Sequence, residues 1–220
     1  MQSLLLSIII PVYKVEKYVA RCLDSIYNQK VDESIFEIIA INDGSPDNSL
    51  QILENYQCNH RNLVIHTKEN GGLSNARNKG LELAKGRYVW FIDSDDWVTN
   101  NSLETVLKVV RGNFDVISTI LIYSYDDESK NRLERKILKD IDVTPSVYML
   151  NYSLGASQRY IIKRGYLEEN NLRFYPDILH EDGDFGPRLI ASCAKVHVLA
   201  EPVYHYYQRD GGSIMSSWNL

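Results

Sequence analysis

Five stretches of this sequence carry residue types able to do chemistry. The densest is Asp93-Ser94-Asp95-Asp96, three carboxylates in four residues directly after an apolar run. In extended geometry Asp93 and Asp95 would point to one side. Two hard oxygen donors so placed suit Mn²⁺ or Mg²⁺, which complete their shells with water and phosphate oxygens. Without a cation the cluster would repel itself. The plain alternative is that Asp95 or Asp96 caps a helix starting near Trp97. Asn42-Asp43-Gly44-Ser45 is first of all a turn, though a carboxylate there can accept the N3–H of a uracil or similar imide. Gly71-Gly72 before Leu73 to Asn78 permits close approach of an anion or a sugar hydroxyl to a helix start. Arg77 adds a charge that could meet a diphosphate; the alternative is a glycine-rich loop with a surface arginine. Glu181-Asp182, after His180, could supply a general base if the fold returns it to the same place. Taken alone, these acids read better as residues that favour a helix dipole. Arg209 and Ser213 flank Gly211-Gly212 and could hold phosphate oxygens. His205 could be a third metal ligand, but a lone histidine in a tyrosine-rich strand reads first as a packed residue.

These stretches need elements to bring them together, and the first half of the chain alternates strand-like and helix-like patterns. Ser7 to Ile10, Phe36 to Ile41, Leu63 to His66, Tyr88 to Ile92 and Asp115 to Tyr123 read as strands. Residues 15–28, 47–57, 74–84 and 101–111 read as helices, with Ser74 as an N-cap and Gly86 as a stop. Tyr88 to Ile92 is apolar throughout, which predicts burial on both faces. Such alternation predicts an α/β fold, a mostly parallel sheet with helices on both faces. In open parallel sheets, ligands bind outside the carboxyl ends of the strands. Pro11-Val12-Tyr13, Asp43 and Asp93 all follow strand ends, so all belong to that edge. The second half is less regular. Residues 126–142 are charge-rich and read as a solvated excursion. Helices are predicted over 145–151, 163–170 and 184–192, and late strands over 196–199 and 203–207. The chain stops at Asn219-Leu220 without a capping element, which suggests a natural protein that continues.

The chain has 220 residues, of which 44% are hydrophobic and 24% charged, an ordinary globular composition with room for a sizeable core. With 24 basic and 29 acidic residues the formal charge is −5, which argues against a nucleic-acid binder working through a global basic field. Leu4 to Val12 is too short to span a bilayer and lacks the flanks of a signal peptide. Cys22, Cys58 and Cys193 are scattered, so each reads as a small buried hydrophobe in a reducing cytoplasm.

The ordered set of motifs resembles family 2 glycosyltransferases with the GT-A fold. It comprises Ser7 to Tyr13, Asn42 to Ser45, Gly71 to Asn78, Phe91 to Asp96, Glu181-Asp182 and Arg209 to Ser213. The resemblance covers almost the whole chain. It implies one GT-A domain, a Rossmann-like three-layer sandwich, with residues 1–123 as the nucleotide-sugar half and 124–220 as the acceptor half. Pro11, Val12 and Tyr13 would border the base, and Asp43 would accept from uracil of a UDP-sugar. Arg77 would lie near the donor phosphates or sugar. Asp93 would face the ribose or the metal shell, and Asp95 would ligate Mn²⁺ or Mg²⁺. Asp182 would be the general base with Glu181 beside it, and Arg209 and Ser213 would close over the diphosphate. The spacing of that last pair departs from the family's usual one. The resemblance also implies inversion by single displacement onto a glycan or lipid-linked acceptor, in surface polysaccharide synthesis. With it come peripheral membrane association and a homodimer as expectations. A nicotinamide oxidoreductase would need a G-x-G-x-x-G turn where Pro11 to Glu16 stands. A phosphatase, nucleotidyltransferase or other metal-dependent phosphoryl-transfer enzyme could use the same carboxylate cluster, but a nucleotidyltransferase would want a basic glycine-rich loop at the first strand. A non-catalytic binding domain would not need Asp93, Asp95, Glu181 and Asp182 together.

Overall fold

The computed structural model describes residues 4–209. In chain order the elements are β1 (Leu6–Val12), α1 (Val19–Tyr27), β2 (Phe36–Asp43), α2 (Ser49–Gln57), β3 (Leu63–Lys68), α3 (Leu73–Leu83) and β4 (Tyr88–Phe91). Next come β5 (Trp97–Val98), α4 (Ser102–Val109), β6 (Val116–Ser118), β7 (Leu121–Tyr125), β8 (Arg132–Leu133), β9 (Ile141–Val143) and α5 (Pro145–Asn151). The last are β10 (Tyr160–Lys163), α6 (Arg164–Glu169), α7 (Glu181–Ser192), β11 (Val196–Val198) and β12 (Tyr204–Gln208). The main sheet has the order β3-β2-β1-β4-β10-β6-β11-β9, and a smaller one runs β5-β12-β7-β8.

The alternation of side chains along each strand sorts the core into two layers. Ile8, Ile10, Ile38, Ala40, Tyr88 and Trp90 pack with residues of α1, α2 and α4. Ile9, Ile39, Ile41, Val89 and Phe91 pack on the other side with α3, α5, α6 and α7. This is the expected α/β sandwich, with helices on both faces. β1 lies in parallel register between β2 and β4, with Val12 opposite Asn42 and Ile9 opposite Phe91, so three strand ends reach one edge together. α3 comes close to β1 because Gly80 has no side chain: a Cβ there would lie 2.3 Å from Ile9 Cγ2. That contact sets how deep α3 seats.

Several predicted elements differ. Asp115 to Tyr123 is not one strand but two, β6 and β7, which belong to different sheets. The chain changes sheets at Thr119, whose N–H donates instead to Arg159 O at 2.8 Å. β10 enters the centre of the main sheet from the second half of the chain, antiparallel to both β4 and β6. α3 starts at Leu73 with Gly72 as its N-cap residue, at φ +83°, so Ser74 is inside the helix rather than capping it. Among the described residues no helix is long and apolar enough to cross a membrane.

Candidate active site

Strand parity explains the centre of the site. Ile92 packs into the layer of α1 and α4, so Asp93, one residue on, turns toward the layer of α3 and α7. There it meets Arg77 from α3, whose Nη2 donates to Asp93 Oδ1 at 2.9 Å. From α7, Glu181 Oε1 and Asp182 Oδ1 accept from Arg77 Nη1 at 2.6 and 3.2 Å. The guanidinium is 1% exposed and lies over the Phe174 ring, 5.2 Å from its centroid. Gln158 Nε2 donates to the other Asp93 oxygen. One buried cation thus gathers three carboxylates that lie up to 105 residues from it in sequence.

The electrostatics follow from burial and this shared cation. Burial alone would lower the Arg77 pKa, but the surrounding carboxylates reverse that and keep it charged. Burial raises Asp93, against the opposing pull of Arg77. Burial also pushes Glu181 up to about 7, helped by the neighbouring Asp182. Asp182 is driven upward by burial too, yet it ends below the usual carboxylate range. Arg77 and hydrogen bonds from Glu181, Arg77 and the Ser157 N–H outweigh burial there. Below about pH 7 the pair therefore holds one proton, mainly on Glu181, and Asp182 is ionised. An ionised carboxylate at a strand-edge crevice can accept a proton. These two acids lie in the first turn of α7, which starts at Glu181 rather than at the predicted 184.

The rest of the acidic run is arranged differently. Asp96 N–H donates to Asp93 O at 3.0 Å, closing a turn, so Asp93 and Asp95 are not presented together as an extended run would present them. No helix begins near Trp97, which leaves Asp95 and Asp96 without a capping role. Asp96 is buried and staples the turn to β12, accepting from Tyr204 OH at 2.6 Å and from Tyr207 N–H at 2.8 Å. Asp95 stays partly exposed, paired with Arg209, whose guanidinium stacks 4.4 Å from the Tyr18 ring centroid. Arg21 supports the same turn, donating to Asp95 O at 2.7 Å while stacking on Trp97 and Tyr207.

At the ends of β1 and β2, Pro11 and Val12 are buried and Tyr13 is 43% exposed, so the aromatic face is what this segment offers. Asp43 is buried, and its carboxylate accepts from Lys68, from Gly71 N–H at 3.0 Å and from Gly72 N–H at 2.8 Å. Its work in this structure is to order the glycine loop. A cleft of about 440 Å³ beside Arg209 is lined by Lys14, Lys17, Tyr18 and Asp47 among others. Asp47 there is held by Ser45 Oγ at 2.6 Å and by Glu16 N–H at 3.0 Å.

Several expected roles change on this geometry. Arg77 faces carboxylates, not open space where a diphosphate could reach it. Asp93 has both oxygens engaged, by Arg77 and Gln158, and is a poor metal ligand. His205, by contrast, is the packed residue its setting suggests, hydrogen-bonded with Ser124 Oγ at 2.8 Å and stacked on Trp97. Among the described residues no three His, Cys, Asp or Glu side chains converge as a metal cage. Of the acidic run, Asp95 keeps a carboxylate at the rim that could serve as a single protein ligand to Mn²⁺ or Mg²⁺ if Arg209 moves off it, the other positions going to substrate phosphates and water. Cys22 and Cys193 are buried, but Cys58 is exposed. Ser213 lies outside the described residues. Gln158, Arg21, Asp96 and Tyr204 carry no sequence signal that singles them out, beyond membership of the acidic run for Asp96.

The match to known proteins decides what this edge belongs to. The model of glycosyl transferase family 2 matches residues 7–185, from β1 to the first turns of α7. The chain belongs to that family. Within the family it is 31% identical over 216 residues to the minor teichoic acid biosynthesis protein GgaB of Bacillus subtilis, covering 94% of this chain and 23% of that protein. It is 32% identical over 215 residues to the putative glycosyltransferase EpsH of Bacillus subtilis, covering 94% of this chain and 61% of that protein. The crystal structure of S. aureus TarS 1–349 in complex with UDP-GlcNAc superposes with a TM-score of 0.81 at 26% identity, covering 97% of this chain and 61% of that one. The chain thus spans less than two thirds of the length of these relatives, and the fold is the GT-A fold of a family 2 glycosyltransferase.

Proposed function

We propose that this chain transfers a sugar from a uridine diphosphate donor to an acceptor hydroxyl, with inversion at the anomeric carbon. The observation that carries the reading is Arg77, which joins the strand-end Asp93 to the helix-start pair Glu181 and Asp182. A donor-facing carboxylate and a proton acceptor are thereby held a single guanidinium apart. The donor class is supported by the likeness to TarS, whose crystal structure contains UDP-GlcNAc. The acceptor we assign is a hydroxyl of a surface polymer or lipid-linked glycan, since the relatives include a teichoic acid biosynthesis protein.

In this reading Tyr13 stacks on the base. Asp43 takes its imide N–H once the long Lys68 side chain swings away. Lys14, Lys17 and Arg209 face the diphosphate across the cleft and stabilise the charge that develops as it leaves. Bound at Asp95, Mn²⁺ or Mg²⁺ would add Lewis-acid neutralisation of that leaving group. Asp182 takes the proton of the acceptor oxygen as it attacks from the face opposite the diphosphate. Arg77 keeps Asp182 ionised until that moment, and Glu181 carries the proton the pair retains. The test is sugar transfer from a panel of UDP-sugars by wild type and Asp182→Asn. Loss of transfer with UDP binding kept is the expected result; transfer near the wild-type rate would place the base elsewhere.

A further inference from the structure

The turn that leads into β10 touches the acid cluster twice. Ser157 to Arg159 form a single 3-10 turn. The Ser157 N–H meets the Asp182 carboxylate, and Gln158 Nε2 donates to Asp93 Oδ2. The turn itself is clamped from several directions. Trp90 Nε1 donates to Gln158 O at 2.8 Å. Arg159 forks onto Glu134 at 2.9 and 3.0 Å, reaches Gly155 O at 2.8 Å, and its carbonyl accepts from Thr119 N–H. The backbone of Gln158 therefore has little freedom, and its side chain passes that rigidity to Asp93.

The chemistry fixes which way the amide points. Turned over, it would set its oxygen against the Asp93 carboxylate, acceptor against acceptor. With Nε2 on Asp93, however, Gln158 Oε1 is buried and without a partner among the described residues. A buried amide oxygen left unpaired costs stability that an apolar side chain of the same length would not. A residue kept at such a cost points to function. Arg77 cannot do the work alone, because it holds only one Asp93 oxygen and is shared with Glu181 and Asp182.

We propose that Gln158 is a positioning residue, holding Asp93 in the orientation that meets the donor. This rests on the reading of Asp93 as donor-facing. The test compares wild type, Gln158→Met, Asp93→Ala and the double variant by thermal melting, by calorimetric titration of UDP with Mn²⁺ and by the crystal structure of Gln158→Met. The expected result is a melting temperature equal to or above wild type, an Asp93 carboxylate turned from its place, and UDP affinity at least tenfold weaker. In the Asp93→Ala background the same substitution should change UDP affinity less than twofold. A melting temperature several degrees lower would make Gln158 a structural residue and overturn the proposal. So would an Asp93 that stays in place, or an equal affinity loss in the Asp93→Ala background. If Asp93 turns in the crystal but wild type takes up no UDP, the positioning inference stands and the donor reading falls.

Discussion

Two acidic regions share the carboxyl edge of the sheet, and they are built in opposite ways. Around Arg77, three carboxylates are gathered on a cation that is 1% exposed. Two residues past Asp93, Asp95 sits at the rim, where its partner among the described residues is Arg209, a cation 28% exposed. Burial explains the contrast. In the inner group, low dielectric makes each charge strongly dependent on its neighbours, so pKa values move and geometry is fixed. At the rim, solvent screens the pair, and the partners can exchange for a ligand at little cost. In the function we propose, the inner group serves proton transfer, and the rim receives the diphosphate.

The contrast is broken most severely at Arg77. Replacing Arg77 with Met leaves three inner carboxylates without their shared cation. Urea unfolding should show a loss of roughly 3–5 kcal/mol, and transfer should vanish. An equally stable variant would mean the inner group is not held by charge. Asp182→Asn sharpens the contrast by separating chemistry from binding. Transfer should fall by roughly 10²–10⁴-fold, with UDP affinity unchanged.

A pH series probes the inner group alone. The folded protein holds the Glu181 proton more tightly than the unfolded chain does, since its pKa rises from an ordinary 4.5 to about 7. Stability from this group is therefore full below about pH 4.5 and is lost as pH climbs through 7. The loss is on the order of 3 kcal/mol. Glu181→Gln should flatten that slope in denaturant titrations; an unchanged slope would assign it to Asp93 or Asp96, which burial also raises. The rim should show the smallest effect on folding. Asp95→Ala should change stability by less than about 1 kcal/mol in the same assay, and a larger loss would mean the rim is as interdependent as the interior.

The two regions also differ in how far they can be read from sequence. β1, β2 and β4 are legible because strands buried on both faces are nearly uniform apolar runs, and each ends in a recognisable turn. Asp93 and Asp95 stand out for that reason. The shared partner of Asp93, Glu181 and Asp182 is not legible, because Arg77 meets them only through the packing of α3 and α7 on the same sheet face. β10 escapes notice since Tyr160–Lys163 is four residues long and runs directly into α6. The start of α7 is hidden by Gly183, Gly186 and Pro187, poor helix formers within its first turns. Asp43 reads as a turn residue open to a ligand, whereas its carboxylate is taken up by a loop 28 residues on.

The most direct test is a calorimetric titration of UDP into the protein with Mn²⁺, then with EDTA, for wild type and Asp95→Ala. The account expects wild-type binding that weakens at least tenfold in EDTA, and an Asp95→Ala protein that binds weakly under both conditions. Tight UDP binding that ignores both the metal and Asp95 would contradict the assignment of the rim, and absence of UDP binding throughout would contradict the donor itself.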